Sequence, residues 1–203
     1  MNLSLLKKTA LLISLTAIAF LLEVIKLPEL FLKEIPDPLR FKMENRIAVI
    51  LFFMVLLVIF RKRYDYLFQV NVLKDKRTYA WIFSVLTSVY ILMKASSGFQ
   101  GPFLPFRVPE LSLLYLLILL YRVCVLVPIA EEFLYRGLLL LVPSQRIRYV
   151  MLIVSSVFFA SLHSNSFETI WLGLGLGILA IRFQNIWVPI IAHTLWNLMA
   201  TYL

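Results

Sequence analysis

Seven apolar runs, each closed off by charge, proline or glycine, set the rhythm of this chain. They predict helices over 9–25, 46–60, 79–93, 111–141, 149–163, 170–183 and 187–203. Several approach the ~20 residues that carry a helix across ~30 Å of hydrocarbon. Backbone amides left unpaired in lipid are prohibitive, so such runs must be helical. The pattern therefore predicts an all-α fold, a polytopic transmembrane bundle of about seven helices, with six and eight as its bounds. The strict alternation of a membrane barrel is absent. One run poses a length problem: at 1.5 Å per residue 111–141 extends ~46 Å, so it must tilt, protrude, or break near Pro128.

Composition narrows the solvent. The 203 residues are 62% hydrophobic and their mean hydropathy is +0.90, against roughly 45–50% apolar residues in a soluble domain. A net charge of +9 in a soluble protein would suggest nucleic acid. Here the basic residues fall between the apolar runs, where they set topology and meet lipid headgroups, and no nucleic-acid partner is expected. With the N-terminus inside, the short cytoplasmic segments collect Lys7, Lys8, Arg61, Lys62, Arg63, Lys74, Lys76, Arg77, Arg146, Arg148 and Arg182. Lys26, Lys33, Arg40, Lys42, Arg46, Lys94 and Arg107 fall outside. The expectation is a multi-pass protein of the cell membrane with a cytoplasmic N-terminus. Ala17-Ile18-Ala19 resembles a signal cleavage site, but the apolar run continues past it, which favours an uncleaved first helix. The lone Cys124 has no partner for a disulfide and no metal-type spacing around it.

The 98–109 loop, with two glycines and three prolines, divides one membrane domain into an N-terminal part without motifs (1–110) and a part carrying the chemistry (111–203). Ionisable side chains cost ~2.5–3.5 kcal/mol at mid-membrane on insertion scales, so they face the protein interior and find partners. Five do so in the second part, Glu131, Glu132, Arg136, His163 and His193, joined by Asn197. Glu132 and Arg136 are i,i+4 and predict an ion pair, while Glu131 points about 100° away and must serve something else. His193 and Asn197 share a face in the same way, as do Phe159 and His163. Reckoned from Pro143, Tyr149 and Trp187, Glu131 lies ~18 Å deep, His163 ~21 Å, His193 ~9 Å and Asn197 ~15 Å, which converges on the cytoplasmic half of the bilayer. Gly173 and Gly177 form a GxxxG face for close helix approach.

A buried carboxylate bonded to a histidine can take a proton from water, and a second histidine with an amide can hold an oxyanion. Serine or cysteine need not act, and no GxSxG is present. The motifs that carry this chemistry also resemble a known family. Glu131-Glu132-Phe133-Leu134-Tyr135-Arg136-Gly137 resembles the EExxxR signature of the CPBP intramembrane proteases, the family of CAAX prenyl endopeptidases and of bacteriocin-processing or immunity (Abi-like) proteins. Phe159-Ala160-Ser161-Leu162-His163 resembles its FxxxH motif and His193-Thr194-Leu195-Trp196-Asn197 its HxxxN motif, in the family's order. The resemblance covers 111–203 and implies an intramembrane endopeptidase. In it Glu131 activates water together with His163, His193 and Asn197 stabilise the oxyanion, and Glu132, Arg136 and Phe159 support them. Its substrate would be a membrane-embedded or lipidated protein or peptide within the lipid bilayer. The resemblance leaves metal dependence open: Glu131, His163 and His193 would make a three-ligand zinc site, yet HExxH is absent, and the expectation is catalysis without a cofactor.

Plainer readings stay beside these. Glu132–Arg136 serves equally as a salt bridge that fixes packing. Asn197 and either histidine serve as interhelical hydrogen-bonders, Phe159 as core, and Arg122 as a snorkelling or paired side chain. The rival functions are a non-enzymatic membrane scaffold or immunity protein and a proton-coupled transporter. Against the transporter, the polar residues sit in one half of the chain rather than in two matching halves.

Overall fold

The computed structural model describes residues 3–25, 27, 42–96, 112–141, 145–163 and 166–202. The 98–109 loop, Leu111, Pro143 and Leu203, with Lys26, Lys33, Arg40 and Arg107, lie outside the described residues. Among the described residues all regular structure is helical. Seven helices follow in chain order: α1 (Leu3–Val24), α2 (Met43–Tyr64), α3 (Lys76–Ser96), α4 (Leu113–Leu141), α5 (Arg148–Ser161), α6 (Ser166–Phe183) and α7 (Trp187–Tyr202). Three stretches, Met43–Lys74, Lys76–Ser96 and Leu113–Leu141, are long and apolar enough to cross a membrane, and Ala10–Val24 is a shorter apolar helix. The outward faces are apolar, with Leu51, Val58, Phe83 and Leu113 well exposed, as lipid contact requires.

The long fourth helix does not break at Pro128. It runs through as α-helix at Leu113–Tyr121, π-helix at Arg122–Leu126, α-helix at Val127–Glu132 and π-helix at Phe133–Leu141. Proline has no N–H to offer the carbonyl a turn behind it, and a π turn is a common accommodation. The candidate acceptors, Val123 and Cys124, are met from α7 instead: Thr194 Oγ1 donates to the Cys124 carbonyl at 2.7 Å and Asn197 Nδ2 to the Val123 carbonyl at 2.9 Å. The helix runs unbroken from an exposed first end to a buried second end. Leu113, Leu114 and Leu117 are exposed, whereas Phe133–Arg136 and Leu138–Leu141 are buried at the centre of the bundle.

Around that buried end pack α1, α5 and α6. The GxxxG face works as expected. A Cβ on Gly173 would lie 3.1 Å from Ser156 Cα, and one on Gly177 would collide with Leu152, so both glycines serve the α5 contact. Gly175 faces Val85 and Val89 of α3. The start of α7 is held by the turn after α2: Ile186 N donates to the Leu67 carbonyl at 2.9 Å and Trp187 Nε1 to that of Phe68 at 3.0 Å. Asn185 Oδ1 accepts from Trp187 N at 2.8 Å, an N-terminal cap. These bonds fix the height from which His193 and Asn197 rise.

Candidate active site

Two adjacent glutamates at the end of the inner α-helical turn of α4 organise the site, and the structure gives them different partners. Glu132 is fully buried. Its Oε1 accepts from His193 Nδ1 at 2.8 Å and its Oε2 lies 3.1 Å from Arg136 Nε, the i,i+4 pair read from the sequence. Arg136, also fully buried, donates Nη2 to the Gly173 carbonyl at 3.0 Å and lays its guanidinium 4.6 Å from the centre of the Phe159 ring. A buried charge needs several such partners to persist. The sequence linked Glu132 only to Arg136. Its contact with His193 joins α4 to α7 and had no local signal.

Glu131 turns elsewhere. Its Oε1 accepts from Arg46 Nη2 at 2.7 Å. Its Oε2 is buried without a hydrogen bond, and two imidazole nitrogens converge on it, His193 Nε2 at 3.9 Å and His163 Nε2 at 4.0 Å. The direct Glu131–His163 hydrogen bond expected from the chemistry is absent, since 4.0 Å is beyond bonding range. Both rings are fixed through the other nitrogen. A carbonyl or carboxylate can only accept, so Nδ1 carries the proton in each: His193 gives it to Glu132, and His163 gives it to the Phe159 carbonyl at 2.7 Å.

The FxxxH spacing has a local cause. Helix α5 ends at Ser161, and His163 N bonds the Ala160 carbonyl in a tightened last turn. That leaves the Phe159 carbonyl to the side chain four residues on. His163 thus lies just past the helix and is 34% exposed, not inside the span predicted to 163. The buried Phe159 ring stands against both imidazoles, with centroids 4.7 Å from His163 and 5.7 Å from His193. Asn197 Nδ2 bonds the Val123 carbonyl, and the residue borders a cavity of about 250 Å³ shared with Lys42, Arg46 and Arg122.

The residues missed by the sequence reading are Glu23 and Arg46. Glu23, almost wholly buried in the last turn of α1, meets Arg46 Nη1 at 2.7 Å, and Arg46 sits in the first turn of α2 with its side chain 13% exposed. Arg46 is therefore an interior cation and not one of the loop cations with which it was counted. Glu23 did leave a signal, an acid inside an apolar run. These partners place the site level with the end of α1 and the start of α2, away from the N-terminus of the first helix. The depth reckoned from Pro143, Tyr149 and Trp187 had put it in the half nearer that terminus.

Donors on one tetrahedral zinc stand about 3.4 Å apart, given bonds of ~2.0–2.2 Å. The Glu131–histidine separations of 3.9 and 4.0 Å are wider. Among the described residues no group of three or more His, Cys, Asp or Glu is arranged to hold a metal ion.

The described helices present apolar outward faces and enclose paired carboxylates, imidazoles and guanidiniums, groups suited to acid–base chemistry. Residues 113–199 match the family model described as Rce1-like, Type II CAAX prenyl endopeptidase Rce1-like, and the three motifs lie within that stretch. Neither a curated protein nor a solved structure matches the chain. The matched residues hold Glu131, Glu132, Arg136, His163, His193 and Asn197, but neither Glu23 nor Arg46.

Proposed function

We propose that this protein is an intramembrane endopeptidase of the cell membrane, multi-pass with its N-terminus in the cytoplasm, that hydrolyses a peptide bond with a water held by Glu131 and the two histidines. The observation that carries the reading is the convergence of His163 Nε2 and His193 Nε2 on the unbonded Glu131 Oε2 at 4.0 and 3.9 Å. A single water with hydrogen bonds of ~2.8 Å spans such gaps. Glu131 Oε2 takes the water's proton with His163 beside it as the second acceptor, and the oxygen attacks the scissile carbonyl. His193, acting as an imidazolium paired with the Glu132 carboxylate, donates from Nε2 to the developing oxyanion, and the proton taken by Glu131 passes to the leaving amine as the C–N bond breaks. Asn197, one turn beyond His193 on α7, is the second residue assigned to the oxyanion. No metal takes part in this scheme.

The substrate is a membrane-embedded or lipidated peptide segment. An apolar cavity of about 510 Å³ supports a lipid-bearing one: Leu11, Leu15, Phe53 and Leu138 line its body, Lys8 and Arg63 border it, and Phe133 and Gly137 come from the helix that carries Glu131. The test is cleavage of an internally quenched, S-farnesylated peptide by the purified protein in detergent, with and without chelator. Wild type cleaves, and Glu131→Ala and His163→Ala each lower kcat by at least ~100-fold. Wild-type rates in both variants would reject this centre. Loss of activity with chelator, restored by zinc, would reject the metal-free scheme.

A further inference from the structure

Arg46 is clamped between two carboxylates, with Nη1 2.7 Å from Glu23 Oε2 and Nη2 2.7 Å from Glu131 Oε1. The far anchor is itself held. Asn45 donates Nδ2 to the carbonyls of Leu22 at 2.6 Å and Ile25 at 2.7 Å, on either side of Glu23, which ties the end of α1 to the start of α2. Lys42 approaches Glu23 at 3.9 Å. A buried ion pair contributes little to stability over an apolar pair of the same shape, so packing alone is a weak reason for it. Its geometric effect is specific. A carboxyl group turns freely about its last torsion, and fixing one oxygen fixes the other.

We propose that Arg46, anchored by Glu23, is a positioning residue that aims the Glu131 carboxylate, holding Oε1 so that Oε2 faces both histidines. This rests on reading Glu131 and the histidines as the catalytic centre. The centre is then incomplete within residues 113–199, and the first two helices form part of it.

The chain contains only two histidines, both in the site, so ¹⁵N-histidine labelling reads the site without a substrate. Imidazole nitrogen spectra would be recorded in detergent micelles for wild type, Glu131→Gln, Arg46→Lys and the double variant Glu23→Gln/Arg46→Gln, which removes both members of the Glu23–Arg46 pair together. Glu131→Gln moves both Nε2 resonances. The double variant moves them in the same direction by at least about half as much, because Glu131 is no longer held. Arg46→Lys, which reaches only one carboxylate, falls between. On the farnesylated peptide the double variant loses ~10- to 100-fold in kcat with KM within about threefold, the expected cost of misplacing a reacting group by ~1 Å.

Nε2 resonances that superimpose on wild type in a folded double variant, while Glu131→Gln moves them, would overturn the proposal. If the double variant does not fold, a folded Arg46→Lys with an unchanged spectrum overturns it equally. A Glu131→Gln spectrum identical to wild type would instead overturn the catalytic centre itself, and this proposal with it.

Discussion

Replacing Thr194 by valine tests how α4 survives a proline in its interior. The substitution keeps the shape and removes the hydroxyl that donates to the Cys124 carbonyl at 2.7 Å. An orphaned buried acceptor costs ~1–3 kcal/mol, and interhelical side-chain bonds in membrane proteins average ~0.6 and reach ~1.7 kcal/mol. The expected loss is about 1 kcal/mol, or ~2–4 °C in Tm for a chain of this size. What distinguishes the explanation is the background. With Pro128→Ala the helix regains an N–H within reach of Cys124, four residues back, and the threonine becomes redundant. Thr194→Val should then cost no more than ~0.3 kcal/mol, a coupling of about 0.7 kcal/mol between residues on different helices.

Reversible unfolding in mixed micelles, followed by the fluorescence of the four tryptophans, measures all four corners of the cycle. Equal costs of Thr194→Val in both backgrounds would refute the account, because Cys124 would then owe nothing to Pro128. A null effect in the wild-type background would show that the hydroxyl contributes no stability. The same cycle with Asn197→Leu examines the Val123 carbonyl and separates the amide's role as a backbone cap from any role toward the oxyanion.

Three other outcomes are expected. Gly173→Ala destabilises by ~1–3 kcal/mol because its methyl meets the Ser156 backbone at 3.1–3.2 Å, whereas Gly137→Ala, with nothing nearer than 3.8 Å, is neutral or gains up to ~1 kcal/mol; thermal unfolding of the two variants side by side decides this. Arg136→Met leaves Glu132 without its guanidinium and costs ~3–5 kcal/mol, and adding Glu132→Gln recovers at least half of the loss; equal stabilities of the single and double variants would contradict the buried pair at 3.1 Å. Leu15→Trp, placed in the 510 Å³ cavity, raises KM for the farnesylated peptide by ~10-fold while sparing the peptide without the lipid; equal effects on both would remove the cavity from substrate binding.

Much of the architecture was legible because membrane helices write themselves as apolar runs. The predicted 79–93 is Lys76–Ser96 and the predicted 187–203 is Trp187–Tyr202, with misses confined to ends, where interfacial charge continues a helix beyond its apolar run. Short-range relations were legible too. The Glu132–Arg136 pair and the Phe159–His163 relation both come from i,i+4 spacing, although the second is a side chain bonding a backbone carbonyl. The hidden part depends on contacts between distant segments. Glu132 with His193, 61 residues apart, and Arg46 with Glu131, 85 apart, leave no periodic trace. Arg46 in particular lies at the edge of its apolar run, where a topology cation and an interior cation look alike until the neighbouring helix supplies Glu23.

The helical wheel itself gives way around the glutamates. A regular α-helix separates Glu131 and Glu132 by about 100° and should send one of them away from the site. In α4 the six-residue stretch Val127–Glu132 is flanked by π-helix on both sides. Each π turn takes in an extra residue and shifts the phase of the residues beyond it. Past Phe133 the consequence is plain: Leu138, Leu139, Leu140 and Leu141 are all buried in succession, which no single α-helical face allows. The first π stretch has a sequence marker in Pro128, while the second has none in Phe133–Leu141. Both glutamates reach inward because partners wait on several sides, with His193 approached by one at Nδ1 and by the other at Nε2. A centre closed from several sides is specified by packing more than by phase. The motif residues locate it, and α1 and α2, which lack motifs, complete it.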